Sequence, residues 1–274
     1  MIILNDLKEI RKSNIKKKYN YKDINFLTSI EDKDYLIVMF HGTADINIYP
    51  VFRGYNYFFN NANVLSIADP LIKYYKNLKI GWYLNTLKYP NTTKTIIEIV
   101  KYIKNICNSK KVIFVSNCSG ALIAVKLSCI MNEICLIANP HTIIKSKDAW
   151  THYHWKDESL NKGYRMPLLK EDNYKKVSII NEIIKKNNDN IVSFEDLDCR
   201  NYFKKHGFPT YFYGYTHIND YTAEWLNKIL DCYKNSNNNN ISIIFNTEKN
   251  ISPHHKPFMG NINLKQILNS IILK

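Results

Sequence analysis

Residues 110–129, KKVIFVSNCSGALIAVKLSC, set a cysteine in a tight run of small polar residues between a β-branched stretch and a helix-like one. A strand over 112–116 leads through S-N-C-S-G into a helix starting near Ser119, with small residues two before and two after Cys118. That is the small-x-nucleophile-x-small arrangement of a nucleophile elbow, where close strand–helix packing demands small flanks and the central side chain projects above the sheet. Centring on Cys118 gives flanks Ser116 and Gly120, whereas centring on Ser119 gives Asn117 and Ala121, so the Cys118 frame fits better. A thiol at a helix N-terminus has its pKa lowered by the macrodipole and by free backbone N–H groups, which also hold an oxyanion. The competing reading is a small buried core residue, the ordinary place of a free cysteine.

A thiol nucleophile needs an oxyanion hole and a base. The run YLIVMFHGTAD ends a strand in His41-Gly42 and continues in small residues, which places a backbone N–H of Gly42 or Thr43 opposite that of Ser119. His41 reads as a hydrogen-bonded histidine at a strand end, with substrate binding as its other role. If the order is nucleophile, acid, histidine, the histidine follows the last strand, where ISPHHKPFMG offers His254 and His255. The acid follows the strand before it, and Asp220 in HINDYTAEWL is the nearest carboxylate, although a helix N-cap would use the same residue. His141, in ANPHTII, falls near the top of the sheet as a substrate-binding group or a polar loop residue, and His152 and His154 stand among Trp150, Tyr153 and Trp155. Alternating histidines without Cys or Asp partners, and cysteines without C-x-x-C spacing, give no metal site.

The elements that must position these residues follow from periodicity. Short β-branched or aromatic runs at 35–40, 63–68, 111–116, 134–139, 210–215 and 241–246 read as strands without polar alternation, as expected of strands buried on both faces of a parallel sheet. Between them, apolar residues at spacings of three and four predict helices over 92–107, 120–132, 173–187, 220–234 and 263–273. Strand alternating with helix is the pattern of a doubly wound α/β domain. The segment 142–205 interrupts the rhythm and reads as a helical cap insertion within one domain spanning 1–274.

With 274 residues, 45% of them apolar, the chain is long enough to bury a large core. Neither a membrane span nor a signal peptide is expected, so the protein reads as cytoplasmic with reduced thiols. A formal charge of +14 favours an anionic partner such as a polyanionic glycan, a phosphorylated cofactor or a membrane surface. Lys and Asn abound everywhere, however, and no aromatic–basic interleaving favours nucleic acid.

Taken in order, FHGTAD, NVLSIADP, GWYLNT, FVSNCSGALIA, ANPHTII and SPHHKPF resemble the α/β-hydrolase-type proteins of bacterial surface-polysaccharide and glycan loci. Capsule O-acetyltransferases and the acyltransferase component of accessory secretion systems are among them. The resemblance covers roughly residues 30–274. It implies an α/β-hydrolase-like fold, acyl transfer through Cys118, acetyl-CoA as co-substrate with no bound cofactor, a glycan or other small-molecule acceptor, and a peripheral membrane or glycan-assembly association. It also favours His255 over His254, because His-Lys-Pro is similar to the His-x-Pro loops of that family. The chain departs from the pattern at Ser116, which replaces a glycine, and at Cys118, which replaces serine. An esterase or thioesterase with the same residues, or a non-catalytic accessory protein, is the alternative.

Overall fold

The computed structural model describes residues 1–42, 49–54, 56–75, 81–142, 188–193, 197–217, 222–234, 236, 240–246 and 264–272. They build a nine-stranded sheet: β1 (Ile2–Leu4), β2 (Ser13–Tyr21), β3 (Ile24–Ile30), β4 (Tyr35–Phe40), β5 (Ala62–Ile67), β6 (Lys111–Cys118), β7 (Ile134–Pro140), β8 (Tyr211–His217) and β9 (Ile241–Asn246), in the order β1-β2-β3-β5-β4-β6-β7-β8-β9. From β5 through β9 in that order every pairing is parallel, whereas β3 runs antiparallel to both β2 and β5.

Side-chain alternation shows why the strands read as continuous apolar runs. Leu36, Val38 and Phe40 of β4 enter one core with Val112 and Phe114 of β6, while Ile37, Met39, Ile113 and Val115 enter a second core on the opposite face. A strand buried on both sides has no polar face to alternate with. The helices are α1 (Pro70–Tyr74), α2 (Thr92–Ile106), α3 (Ala121–Met131), α4 (Cys199–His206), α5 (Thr222–Lys234) and α6 (Leu264–Ile272). Helix α2 buries the stripe Ile96, Ile99, Val100 and Ile103. Helix α3 is buried around most of its circumference, because the sheet lies on one side and α4 on the other. Leu268 and Ile271 of α6 close the second core.

The mostly parallel, doubly wound α/β reading therefore describes the molecule. Absent from that reading were β1 to β3. Lysines at 16–18 disguise β2 as a solvated run, yet Tyr19 and Tyr21 turn inward. The β2–β3 hairpin turns on Lys22 and Asp23, with φ of 46° and 66°, without the Asn-Gly or Asp-Gly signature that usually marks such a turn. The predicted helix over 173–187 lies outside the described residues, as do 143–187 and 194–196 of the expected cap. The end of that segment, α4, packs on α3 in the helical layer. Among the described residues, no helix is long and apolar enough to cross a membrane.

Candidate active site

Strand β4 has β5 on one side and β6 on the other. In an open α/β sheet such a reversal of winding leaves a crevice at the carboxyl ends of the two central strands, where ligands bind. His41-Gly42 follows β4, Cys118 ends β6, and His141 follows β7, so the topology brings these groups to one crevice.

Cys118 has φ of 53°, a left-handed conformation that non-glycine residues adopt at a cost of roughly 1–3 kcal/mol. The ladder to β7 slips one residue between Asn117 and Cys118, where strand gives way to helix. Packing holds the turn. A Cβ on Gly120 would lie 2.3 Å from Ser116 Oγ and 2.5 Å from the His41 carbonyl oxygen, so only glycine fits. A Cβ on Gly42 would lie 3.1 Å from Cys118 Cβ, so the Gly42 backbone rests directly on the elbow. Ser116 donates from its hydroxyl to the Phe40 carbonyl at 3.0 Å and ties β6 to the end of β4.

The imidazole of His141 lies at the sulfur: Cys118 Sγ is 3.7 Å from Nε2 and 3.9 Å from Nδ1. The ring is buried and meets Trp225 of α5 edge to face at 4.9 Å. Its backbone N–H donates to the Cys118 carbonyl at 2.9 Å, which fixes the end of β7 to the elbow. Its neighbour Asn139 is also left-handed, with φ of 41°.

His41 has a different environment. Its Nε2 accepts from the Asp69 N–H at 3.0 Å, which leaves the proton on Nδ1 to donate to the Gly42 carbonyl at 2.6 Å. Its own N–H donates to the Tyr83 hydroxyl, which in turn donates to the Ile67 carbonyl. Burial lowers the imidazole pKa to about 4; the Gly42 bond opposes this and Arg53 adds to it. His41 is thus a neutral strut beneath Gly42.

Asp69, which the sequence reading passed over except inside the NVLSIADP motif, is the hub of the opposite wall. Its carboxylate accepts from the N–H groups of Leu71 (3.1 Å), Gly81 (2.8 Å) and Tyr83 (3.2 Å). Burial pushes it up to about 6 against the pull of those three donors. Asp-Pro at a strand end was the available signal, since Asp69 caps α1 with Pro70 in its first turn.

The structure therefore brings Gly42, Cys118, Ser119 and His141 together. Ser119 is fully buried, and its hydroxyl has no partner among the described residues. Thr43, Asp220, His152, His154, His254 and His255 lie outside the described residues, and His217 closes β8 through its backbone. No cluster of ligating side chains that could hold a metal occurs among the described residues.

Neither any described protein family nor any curated protein sequence matches the chain. Among solved structures it is similar to the capsule O-acetyltransferase of Neisseria meningitidis serogroup A, at 13% identity over 94% of each chain and a TM-score of 0.60. It is also similar to a histidine-to-alanine mutant of that enzyme in complex with CoA, at 14% identity over 95% of this chain and 96% of the other, TM-score 0.57. A third is the Francisella virulence factor BioJ, at 12% identity over 97% of this chain and 86% of the other, TM-score 0.54. At these identities the likeness is one of fold, and the fold is α/β-hydrolase-like.

Proposed function

We propose that the protein is an acyltransferase, an O-acetyltransferase that moves an acetyl group from acetyl-CoA to a hydroxyl of a bacterial surface glycan through a thioester on Cys118. The observation that carries this reading is the left-handed Cys118 between β6 and α3, with Gly42 and Gly120 packed so closely that only backbone fits beside it. Backbone strain that the surrounding packing holds in place recurs at functional sites.

In this mechanism the Cys118 thiol gives its proton to an imidazole, and the thiolate attacks the acetyl carbonyl carbon. A C–S bond forms, and the oxyanion is held by the N–H of Ser119 and that of Gly42 or Thr43. Collapse breaks the bond to CoA, whose sulfur leaves with the proton. The same imidazole then takes the proton of a glycan hydroxyl; the oxygen attacks the thioester, and Cys118 departs as thiolate. Chain order offers His254 and His255 for the imidazole, the resemblance favours His255, and Asp220 would orient it, while His141 is the imidazole in contact with the sulfur in the described structure. His254 completes the substrate side of the proposal, whereas both ring nitrogens of His41 are engaged by the Asp69 N–H and the Gly42 carbonyl, and the part of the segment 142–205 that precedes α4 would exclude water as a cap.

Labelled acetyl-CoA, with and without an acceptor glycan, tests the reading. A thioester on Cys118 that is discharged onto glycan is expected. Acetate release that ignores the acceptor would make the protein a hydrolase, and absence of label at Cys118 would remove the nucleophile altogether.

A further inference from the structure

A groove of about 510 Å³ runs along the outer helical layer between α2 and α4, with α3 as its floor. It is lined by Lys94 and Lys101 of α2, Lys126 of α3, and Lys205 and His206 of α4. The one carboxylate among its lining residues, Glu98, is already ion-paired with Lys22 at 3.0 Å. Lysines are plentiful on this chain, and an exposed cluster alone would say little. Lys126 differs: it is only 7% exposed, and its ammonium lies 5.0 Å from the Tyr202 ring centroid in the groove wall.

The α2 end of the groove adds independent features. The first turn of this 15-residue helix has no acidic side chain, and its N-cap, Asn91, makes no side-chain capping bond, although the Asn85 side chain in the groove lining accepts from the Thr93 N–H at 3.0 Å. The positive end of the macrodipole therefore coincides with Lys94 instead of being offset by a carboxylate. Thr93 lines the same wall, is only 7% exposed, and keeps a buried hydroxyl with no partner among the described residues. A helix N-terminus, an orphan hydroxyl and clustered ammonium groups are complementary to a phosphate. Tyr202, Ile97 and Ile130 give the groove an apolar lining as well, and its volume suits a nucleotide-sized molecule.

We propose that this groove binds an organic phosphate: a small molecule whose phosphate sits among Lys94, Lys101 and Lys126 and whose apolar part lies along the Tyr202 wall. The site makes no assumption about Cys118, so it stands or falls apart from acyl transfer. Lys126 lies about 8 Å along α3 from its first residue, so the groove and the elbow share one helix.

Calorimetric titration of the full chain with adenosine 3′,5′-bisphosphate, with adenosine as the phosphate-free control, tests the proposal. The bisphosphate is expected to bind and adenosine to fail. Exchanging the exposed Lys94 and Lys101 together for Glu should weaken binding by about tenfold or more, while Lys17→Glu with Lys18→Glu, which changes net charge equally at residues that do not line the groove, should stay within about twofold. Equal losses in the two double variants would show diffuse charge attraction and overturn the site, as would comparable binding of adenosine or no binding of the bisphosphate. Displacement of the probe by CoA would assign the phosphate to an acyl donor; displacement by a hexose phosphate but not by CoA would assign it to a sugar precursor. Either result supports the site.

Discussion

Acidification should undermine the packing of the β4 end through His41, and the size of the effect follows from its burial. The imidazole is neutral, accepts from the Asp69 N–H and donates to the Gly42 carbonyl; a second proton would destroy the acceptor. Burial lowers its pKa from 6.5 to about 4. Protonation thus favours the unfolded chain, and the stability contributed by this group is complete above about pH 6.5 and is lost as pH falls toward about 4. The full window corresponds to about 3 kcal/mol, of which about 2 kcal/mol is already lost at about pH 5. Asp69 runs the other way: burial raises its carboxyl to about 6, so its charged form weighs against folding as pH rises from 3.8 through that value. Comparison with His41→Gln, which retains Asp69, separates the two. Urea unfolding at about pH 7.5 and about pH 5 should show the wild-type advantage over His41→Gln shrinking by about 2 kcal/mol. A gap that is the same at both pH values would refute the neutral, buried role assigned to His41.

Gly120→Ala should destabilise by about 2–3 kcal/mol in denaturant unfolding, because its Cβ would meet backbone and Ser116 at contact distances no rotamer can relieve. Iodoacetamide labelling of Cys118 at neutral pH tests which imidazole activates the thiol: the proposed mechanism expects His255→Ala to slow it by about tenfold and His141→Ala to change it little, and the reverse ranking would hand the base's role to His141, which touches the sulfur. Tyr75→Phe removes the hydroxyl that donates to Asp189, which also accepts from the N–H groups of Lys88 and Asn190. Losing that charge-assisted bond should cost about 1.5–3 kcal/mol, read as a shift of the urea midpoint.

The parallel half of the sheet was legible because strands buried on both faces cannot hide: 35–40, 111–116 and 134–139 read as apolar runs and emerged as β4, β6 and β7. The elbow was legible for a steric reason, since Ser116 and Gly120 are small where β6 meets α3. The amino-terminal hairpin was hidden by lysines on an exposed strand face and by a turn lacking its usual residues. The contact between His141 and Cys118 was hidden for a different reason. It depends on β7 lying beside β6 and on a one-residue slip in their register, and no local pattern encodes either. Asp69 escaped notice because a carboxylate that serves backbone amides across a loop looks, in sequence, like any helix cap.

The carboxylate of Asp69 has a kinetic consequence as well. Most enzyme loops beside a catalytic crevice expose their amides and open at little cost. Here the amides of Leu71, Gly81 and Tyr83 point inward at one fully buried side chain, and that of Asp69 points at His41. Breaking one of these bonds strands the others in a dry environment, so this wall should exchange its protons on the timescale of the sheet rather than that of a surface loop. The backbone at Leu71, Gly81 and Tyr83 is then a fixed boundary condition, and any adaptation of the crevice to a ligand must come from its other side.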